Sequence, residues 1–439
     1  MKTRNLTLSL LLFLPLSCST LWAQDSLRHC QAPAGKEIYI PEEFKNDDFT
    51  SAQSKYSFCR MAYTDDIVAF WEKPFGDDLT KSPSLNGHDM TVDVQALLKA
   101  AQRFYTYYKD TLHFITPGSI ADKYRMMIMI MYSEDGTAYG GAYDNKIGAL
   151  WVTPLRLHEK KYNCIAHELG HSFQAQIGAD GVTSAGGGGL WEYTSQWMLW
   201  HVNPLWMTDE NYHWVEFMKK THLALFSPEN MYRGPYMMEY WSNKRGLEII
   251  TRIWREGKPG EDAVECYKRL TGIDQAQLND EVFDAAQRFI TYDLDRIRTV
   301  ARPYANKHTS TLKHLVYDWY GIDADRVPED YGYNGIELAL PEKGKKVTLS
   351  LEGTLPEGVT GEWKYALLPV ENDTIPHYDV ALQATTVKGH GKTLTFKMPK
   401  KQNITHLWLV VSTAPDKHNA SEVSQWPYRV KLDGTTPLK

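Results

Sequence analysis

The stretch HELGH at residues 167–171 contains the residue types of a metal-dependent hydrolase. His167 and His171 are four residues apart, and such positions lie on one face of a helix, so both imidazoles can direct a nitrogen at one ion. Glu168 lies about 100° around the helix from His167, where its carboxylate can reach a water on that ion without being a ligand. The pattern therefore predicts a zinc ion on the two histidines, with Glu168 as general base.

Two other interpretations fit the same motif. An ordinary helix can carry two histidines on one face without binding anything. Alternatively, the chain is a zincin-like surface or glycan-binding protein that keeps the metal and has lost catalysis. The presence of Glu168 argues against this second alternative, because a structural zinc ion needs no unbound carboxylate beside its ligands.

A third protein ligand must come from outside the motif. The metzincin class needs Gly and His at the positions where this chain has Gln174 and Ile177, so that class is excluded. Asp180 is one candidate. Glu192 is the better candidate, because it begins the next predicted helix, from which a carboxylate can return to the metal. Glu192 is otherwise explained as an acidic residue that the dipole of a helix N-terminus favours.

The combination of HExxH, a spacer of twenty residues and Glu192 resembles the gluzincin metallopeptidases. HELGHSFQ is similar to the start of the enhancin-like peptidases that attack mucin-type glycoproteins. Residues 236–294 resemble the helical half of a bacterial family of exported zincin-like proteins. In gluzincins the ligand glutamate is followed by Ser-Asp at the spacing of Ser195 and Gln196, so Gln196 replaces the aspartate that orients a histidine ligand. Gln196 could take over that function only through its amide oxygen.

The resemblance implies a zinc metalloendopeptidase that hydrolyses peptide bonds of proteins or glycoproteins. His167, His171 and Glu192 would hold one zinc ion, and Glu168 would activate the zinc-bound water and then protonate the leaving group. Gluzincins also use a Tyr or His that donates a hydrogen bond to the oxyanion, and the candidates are Tyr232, Tyr236, Tyr240 and His213. Of these we expect Tyr236, which follows a proline at a helix start. Residues 148–154 are expected to form the strand that pairs with an extended substrate.

The elements that must position these residues are predicted from apolar periodicity. Residues 160–177 form the helix that carries the motif, and Gly178 ends it. The four glycines at 186–189 form either a mobile rim over the site or a slack connector. The other predicted elements are strands at 54–63, 66–73, 124–133 and 147–154, a helix at 91–110 and a mostly helical segment at 191–296.

Beyond a linker at 327–343, short strands separated by turn residues predict a β-sandwich. The expected fold class is therefore α+β. A zincin-like catalytic domain, with a small mixed sheet, an active-site helix and a mostly helical subdomain, precedes the C-terminal β-sandwich. The expected boundaries are a signal peptide at 1–23, a strand-rich part of the catalytic unit at 24–90, the metallopeptidase domain at 91–330 and the sandwich at 340–439.

The first 23 residues are typical of an export signal, with two basic residues followed by an apolar run too short to span a bilayer. The expected location is periplasmic or extracellular, with lipid attachment at Cys18 as the alternative. No later segment is long and apolar enough to cross a membrane. In an oxidising compartment Cys30 and Cys59 are the most economical disulfide pair.

Composition and charge limit the partners. A formal net charge of −6 without a basic tract excludes binding driven by nucleic-acid phosphates. The expected partner is a protein or glycoprotein substrate. Tryptophans that follow the motif are interpreted as core residues in preference to platforms for sugar rings. The C-terminal sandwich can either contact carbohydrate or brace the enzyme.

Overall fold

A computed structural model describes residues 30–355, 357–378 and 382–438 of the chain. The expected signal peptide and Cys18 lie outside the described residues. The α+β class is confirmed: a small mixed sheet comes first, helices dominate the middle of the chain, and an antiparallel sheet forms the C-terminal part. Within the described residues, no helix is both long and apolar enough to span a bilayer.

The helices are α1 (Val94–Asp110), α2 (Asn163–Ala179), α3 (Gly189–Val202), α4 (Trp206–Asp209), α5 (Asn211–Met218), α6 (Tyr236–Arg245), α7 (Glu248–Arg255), α8 (Ala263–Thr271), α9 (Gln275–Phe289) and α10 (Arg298–Ala301). The strands are β1 (Met61–Tyr63), β2 (Ile67–Trp71), β3 (Met126–Ile130), β4 (Ala138–Tyr143), β5 (Ile147–Val152), β6 (Leu312–His314), β7 (Trp319–Ile322), β8 (Tyr333–Leu338), β9 (Lys346–Gly353), β10 (Gly361–Glu371), β11 (Ile375–Pro376), β12 (Leu382–Val387), β13 (His390–Gly391), β14 (Leu394–Lys397), β15 (Ile404–Pro415) and β16 (Tyr428–Asp433).

The first sheet has the strand order β1-β2-β3-β5-β4. Strands β2, β3 and β5 are parallel, and the two outer strands run antiparallel to their neighbours. Strand β5 contains the segment that we expected to pair with substrate, but β3 and β4 already occupy both of its edges. That expectation is wrong, because the exposed edge on this side of the described sheet belongs to β4.

Helix α2 carries the HELGH motif and packs against β4 and β5. The hydroxyl of Ser172 donates a hydrogen bond to the carbonyl of Ala149 in β5 at 2.8 Å. Strand β4 approaches the helix so closely that a Cβ on Gly140 would lie 2.0 Å from the Glu168 carbonyl oxygen and 2.7 Å from the His171 Cβ. Only glycine permits this approach, which places the edge strand directly beside the motif.

The C-terminal strands form one antiparallel path with the order β6-β7-β16-β9-β13-β12-β10-β15-β8, to which β11 and β14 are added at β10 and β9. The path folds over, so that Leu349 and Val430 from one half share a core with Trp363 and Leu409 from the other. This arrangement agrees with the predicted sandwich. Its first strand begins at Leu312, inside the segment expected to belong to the catalytic domain.

Strands β10 and β15 are buried on both faces. Leu367 and Leu409 point into the core of the sandwich, whereas their neighbours Leu368 and Val410 belong to the core of the helical part. Two-sided burial explains why these strands are continuous apolar runs in the sequence. The C-terminal sheet is therefore packed against the helical part of the protein, in contact with α9.

The disulfide prediction is confirmed, because Cys30 and Cys59 are bonded. The interpretation of the tryptophans as core residues also agrees with the structure. Those after the motif that are fully buried are Trp197, Trp200, Trp206, Trp241 and Trp254. In the C-terminal sheet the side chains of Trp363, Trp408 and Trp426 are buried as well, so these three rings are not available to stack on a sugar.

Candidate metal centre

The structure brings His167, His171 and Glu192 together. Glu192 Oε2 lies 3.0 Å from Nε2 of His167 and 3.1 Å from Nε2 of His171, and the two Nε2 atoms are 3.1 Å apart. Neighbouring ligand atoms around a tetrahedral zinc ion are separated by about 3.3 Å. These three residues form a group that could hold one metal ion.

Glu192 reaches the motif because α3 packs tightly on α2. The hydroxyl of Ser195 donates a hydrogen bond to the carbonyl of His167. A Cβ on Gly170 would lie 2.5 Å from the Ser195 Oγ, so glycine is required at this crossing. Since residues three apart on a helix are neighbours, the Ser195 contact also directs Glu192 toward the histidines.

Two glutamine side chains hold the imidazoles from behind. Gln196 Oε1 lies 3.2 Å from Nδ1 of His167, and Gln174 Oε1 lies 2.9 Å from Nδ1 of His171. The orientation of each side-chain amide is fixed by the hydrogen bond that its nitrogen donates. The Nε2 of Gln196 donates to the carbonyl of Tyr232 at 2.7 Å, and that of Gln174 donates to a backbone carbonyl of α3 at 3.0 Å. Each Nδ1 therefore carries the proton, and each Nε2 presents its lone pair to the centre.

The tautomers of His167 and His171 decide whether these residues fit a metal ion. With both Nδ1 atoms protonated, the neutral forms of His167 and His171 place two lone pairs beside the carboxylate of Glu192. Three acceptor atoms converge without a donor between them, which is unfavourable unless a cation lies at their centre. Two imidazoles and one carboxylate are a ligand set that zinc uses in catalytic sites. The residues therefore fit the ion that the sequence predicts.

The electrostatics of the group reflect this arrangement. Burial alone would lower the pKa of His167, but the hydrogen bond that protonated His167 donates to Glu192 and the negative charges of Glu168 and Glu192 raise it above its ordinary value. Burial would raise the pKa of Glu192, whereas hydrogen bonds and positive charge from the two histidines in their protonated forms lower it. Glu192 is thus held as the carboxylate, the form that binds a cation.

Glu168 is not a member of the metal-binding group. It lines an open cleft of about 580 Å³ together with His167, and no described residue forms a hydrogen bond or ion pair with its carboxylate. The other residues of this cleft are Ala138, Arg156, Asn163, Cys164, Gln196, Leu199, Glu210, Tyr212, His213 and Tyr232. A carboxylate beside a metal centre, turned toward a cleft and lacking a protein partner, is suited to accept a proton from a bound molecule.

Of the residues proposed for oxyanion stabilisation, the structure brings Tyr232 to the centre. Its ring lies 6.0 Å from the ring of His167. Burial, together with the charge and a hydrogen bond of Glu192, raises the pKa of Tyr232 to about 12, so its hydroxyl remains a hydrogen-bond donor at neutral pH. His213 lines the same cleft but lies beside Glu210, 3.5 Å from its carboxylate.

The expected residue, Tyr236, is elsewhere. Its hydroxyl is buried without a hydrogen-bond partner among the described residues, and its ring packs against Phe217 and Trp200 in the helical core. This position corrects the expectation for Tyr236, since a packed ring inside the core cannot reach the cleft. Tyr240 donates its hydroxyl to Asp284 at 2.7 Å and is likewise outside the cleft.

Asp180, the alternative third ligand, lies at the end of α2. It accepts hydrogen bonds from Ser119 Oγ at 3.0 Å and from Gln176 Nε2 at 2.9 Å. These contacts hold the helix end, and Asp180 is not part of the metal-binding group.

Sequence reasoning overlooked two supports of His171. In the sequence Gln174 marks a departure from the metzincin pattern, and its position three residues after His171 on the helix also indicates a contact between the two side chains. The ring of Trp191 stacks on the imidazole of His171 at 5.3 Å with an interplanar angle of 10°. In the sequence, the adjacency of Trp191 to the candidate ligand Glu192 is the signal for this contact.

This chain is similar to several solved structures, but the sequence identities and TM-scores are low. The catalytic module of the metalloprotease ZmpA from Clostridium perfringens is 11% identical, with 78% of this chain and 70% of that chain covered, at a TM-score of 0.32. The ZmpB metallopeptidase from the same organism is 13% identical, with 82% and 71% covered, at a TM-score of 0.31. A family 16 carbohydrate binding module is 10% identical over 29% of this chain and 90% of its own, at a TM-score of 0.17.

Structural similarity this low does not assign the activity of those proteins to this chain. No curated protein sequence matches the chain. A model described as "Family of unknown function (DUF6055)" matches residues 30–439, and the chain therefore belongs to the DUF6055 family.

Proposed function

We propose that this protein is an exported zinc-dependent peptidase that acts on proteins or glycoproteins. The observation that carries the proposal is the convergence of three acceptor atoms, from His167, His171 and Glu192, beside the unpaired carboxylate of Glu168. A site that only held a structural ion would have no use for that carboxylate or for an open cleft. The disulfide between Cys30 and Cys59 supports export, because such bonds persist in oxidising compartments.

Zinc bound at this centre would supply a Lewis acid that polarises a carbonyl group and lowers the pKa of water. Glu168 would accept the proton of the attacking water and later donate it to the leaving amine. The Tyr232 hydroxyl would donate a hydrogen bond to the oxygen on which negative charge develops. Gln174 and Gln196 would keep the imidazoles oriented throughout.

The substrate would lie along β4. This strand forms the exposed edge of the described sheet, and its Ala138 lines the cleft beside the motif. An extended peptide can add to such an edge through backbone hydrogen bonds. Gly140 supports this placement, because it allows the edge strand to lie against α2 within contact of Glu168 and His171.

The test is a comparison of the mature chain with its Glu168→Gln variant. Zinc content is measured by elemental analysis, and cleavage of a denatured protein and of a mucin-type glycoprotein is followed by mass spectrometry of new N-termini. We expect equal zinc in both proteins and a loss of cleavage of about 10²–10⁴-fold or more in the variant. Glu216→Gln, at a partly exposed position of α5 where the carboxylate pairs with Lys219, is the control and should retain activity.

Two results would overturn the proposal. Cleavage by Glu168→Gln at the wild-type rate would remove Glu168 from the chemistry. Stoichiometric zinc in a wild-type protein that cleaves neither substrate would favour the alternative, a zincin-like protein that binds without catalysis.

A further inference from the structure

The wall of the cleft contains an arginine that the proposed chemistry does not use. Arg156 ends a short helical turn (Pro154–Arg156) directly after strand β5, and its exposed side chain lines the same cleft as His167 and Glu168. Its Nε donates a hydrogen bond to the carbonyl of Gly136 at 2.6 Å. Gly136 lies two residues before β4, so this bond holds the guanidinium group next to the beginning of the edge strand.

The charge of Arg156 is not neutralised by any residue in the described part of the chain. No carboxylate of the described residues lies within ion-pair distance of it, and its two terminal nitrogens have no hydrogen-bond partner among those residues. Besides Glu168, the cleft is lined by one more acidic residue, Glu210, whose carboxylate already has partners. Its carboxylate accepts a hydrogen bond from Trp206 Nε1 at 2.9 Å and lies 3.5 Å from His213. Arg156 thus presents its remaining donors to whatever occupies the cleft.

An exposed aromatic ring lines the same cleft. Tyr212 is 62% exposed, lines the cleft and packs against the ring of His213 at 4.3 Å. A fixed guanidinium fork matches the two oxygens of a carboxylate, and a neighbouring ring offers an apolar surface to the group that carries it. The cleft that contains His167 and Glu168 therefore combines an unpaired positive charge with an exposed aromatic ring.

We infer that Arg156 forms an anion subsite of the cleft, which binds a carboxylate of the substrate close to the bond that is cleaved. This inference rests on the proposed function, because it assigns a substrate class to the same cleft. The carboxylate can come from an Asp or Glu side chain, or from an acidic sugar on a glycoprotein. Both sources present the same planar anion to the guanidinium group.

The test measures binding without turnover, in the zinc-loaded Glu168→Gln protein. Four probes are titrated by isothermal calorimetry: a peptide with a central Glu, the same peptide with Gln, sialyllactose and lactose. We expect at least one acidic probe to bind more tightly than its neutral counterpart. Adding Arg156→Gln should weaken the binding of that acidic probe by about 10–100-fold, as expected for a charge-assisted hydrogen bond. The affinity for the neutral probe should not change.

Two further variants separate charge from geometry. Arg156→Lys keeps the charge but loses the fork, so we expect it to restore only part of the preference for the acidic probe. Lys160→Gln removes a positive charge four residues further along, from an exposed position outside the cleft, and should change nothing.

The outcomes for the subsite and for the proposed function are distinguishable. An equal loss of affinity for the acidic and the neutral probe in Arg156→Gln would overturn the subsite. The absence of binding of either acidic probe at millimolar concentration would also overturn it. Arg156-dependent binding of an acidic probe by a protein whose wild type cleaves nothing would retain the subsite and reject the peptidase. The preferred probe identifies the source of the carboxylate.

Discussion

The amide oxygen of Gln196 lies 3.2 Å from Nδ1 of His167, while the amide nitrogen of the same side chain donates to the carbonyl of Tyr232 at 2.7 Å. Gln196 thus orients His167 of the candidate metal centre. It also holds the backbone of Tyr232, whose ring lies beside His167. A carboxylate at this position could accept the proton of His167 but could not donate to the backbone of Tyr232. The amide therefore has a function that the aspartate of the gluzincin pattern would not supply.

We predict that Gln196→Leu and Gln174→Leu each weaken zinc binding by about 10–100-fold, because each leaves an imidazole without the acceptor that orients it. The measurement is competition with a chromophoric zinc chelator, at a pH where the chelator is calibrated. Gln196→Glu should bind zinc better than Gln196→Leu, yet show lower activity than wild type, because the tie to Tyr232 is lost. Zinc affinities within twofold of wild type in both Leu variants would contradict this prediction.

Removal of the Tyr232 hydroxyl should affect catalysis and not metal binding. Tyr232→Phe is expected to lower kcat by about 10²–10³-fold, the usual effect of deleting one oxyanion donor, with little change in KM or zinc content. Tyr236→Phe is the matched control. It should keep full activity and equal or slightly higher stability, because the hydroxyl of Tyr236 is buried and finds no hydrogen-bond partner in the part of the chain that the structure describes. Equal loss of kcat in the two variants would show that Tyr232 has no special position.

Two adjacent glycines of β4 should respond differently to the same substitution. In Gly140→Ala the new Cβ would lie 2.0 Å from the Glu168 carbonyl oxygen, so the edge strand or α2 must shift. We expect a loss of about 1–3 kcal/mol in the free energy of unfolding and a weaker metal centre. In Gly141→Ala the nearest atom is a ring carbon of Trp151 at 3.8 Å, an ordinary contact.

Urea titrations and zinc content of both variants check this prediction. If Gly141→Ala were as damaging as Gly140→Ala, the cause would be the loss of glycine flexibility in the strand and not the contact with the motif.

A buried histidine remote from the cleft should make the protein sensitive to acid. His308 is buried beside the hydroxyl of Tyr333, at 2.9 Å, and burial lowers its pKa to about 3. The unfolded chain binds a proton at the ordinary pKa of about 6.5, whereas the folded protein does not until about pH 3. Stability is therefore lost as the pH falls through this window, by about 1.4 kcal/mol per pH unit for this one group.

Urea unfolding of wild type and His308→Gln at pH 7, 6 and 5 measures this contribution. The amide can retain the contact with Tyr333 but does not titrate. Whatever the difference at pH 7, the variant should gain about 1–2 kcal/mol relative to wild type by pH 5. Parallel stability curves for the two proteins would mean that His308 is not held neutral by the fold.

The HELGH motif and its helix could be predicted because they depend on local periodicity. The positions of His167, Glu168 and His171 relative to one another follow from 3.6 residues per turn, whatever surrounds the helix. Glu192 was within reach of the same reasoning, since it lies at the start of the next helix along the chain. The apolar runs of β10 and β15, and the pairing of Cys30 with Cys59, were also evident from local composition and short separation.

The remaining features depend on which distant segments pack together. Tyr232 and Tyr236 are four residues apart and chemically identical, and only the packing of α6 against the helical core buries one and leaves the other at the cleft. Whether β4 or β5 forms the edge is a matter of strand order, which no periodicity encodes. Sequence by itself determined the types of the candidate ligands and their spacing along two helices. Only the tertiary structure decided that Tyr232 is the hydrogen-bond donor beside these residues and that β4 is the edge strand. The reason is that burial is a sum over contacts between residues far apart in the chain.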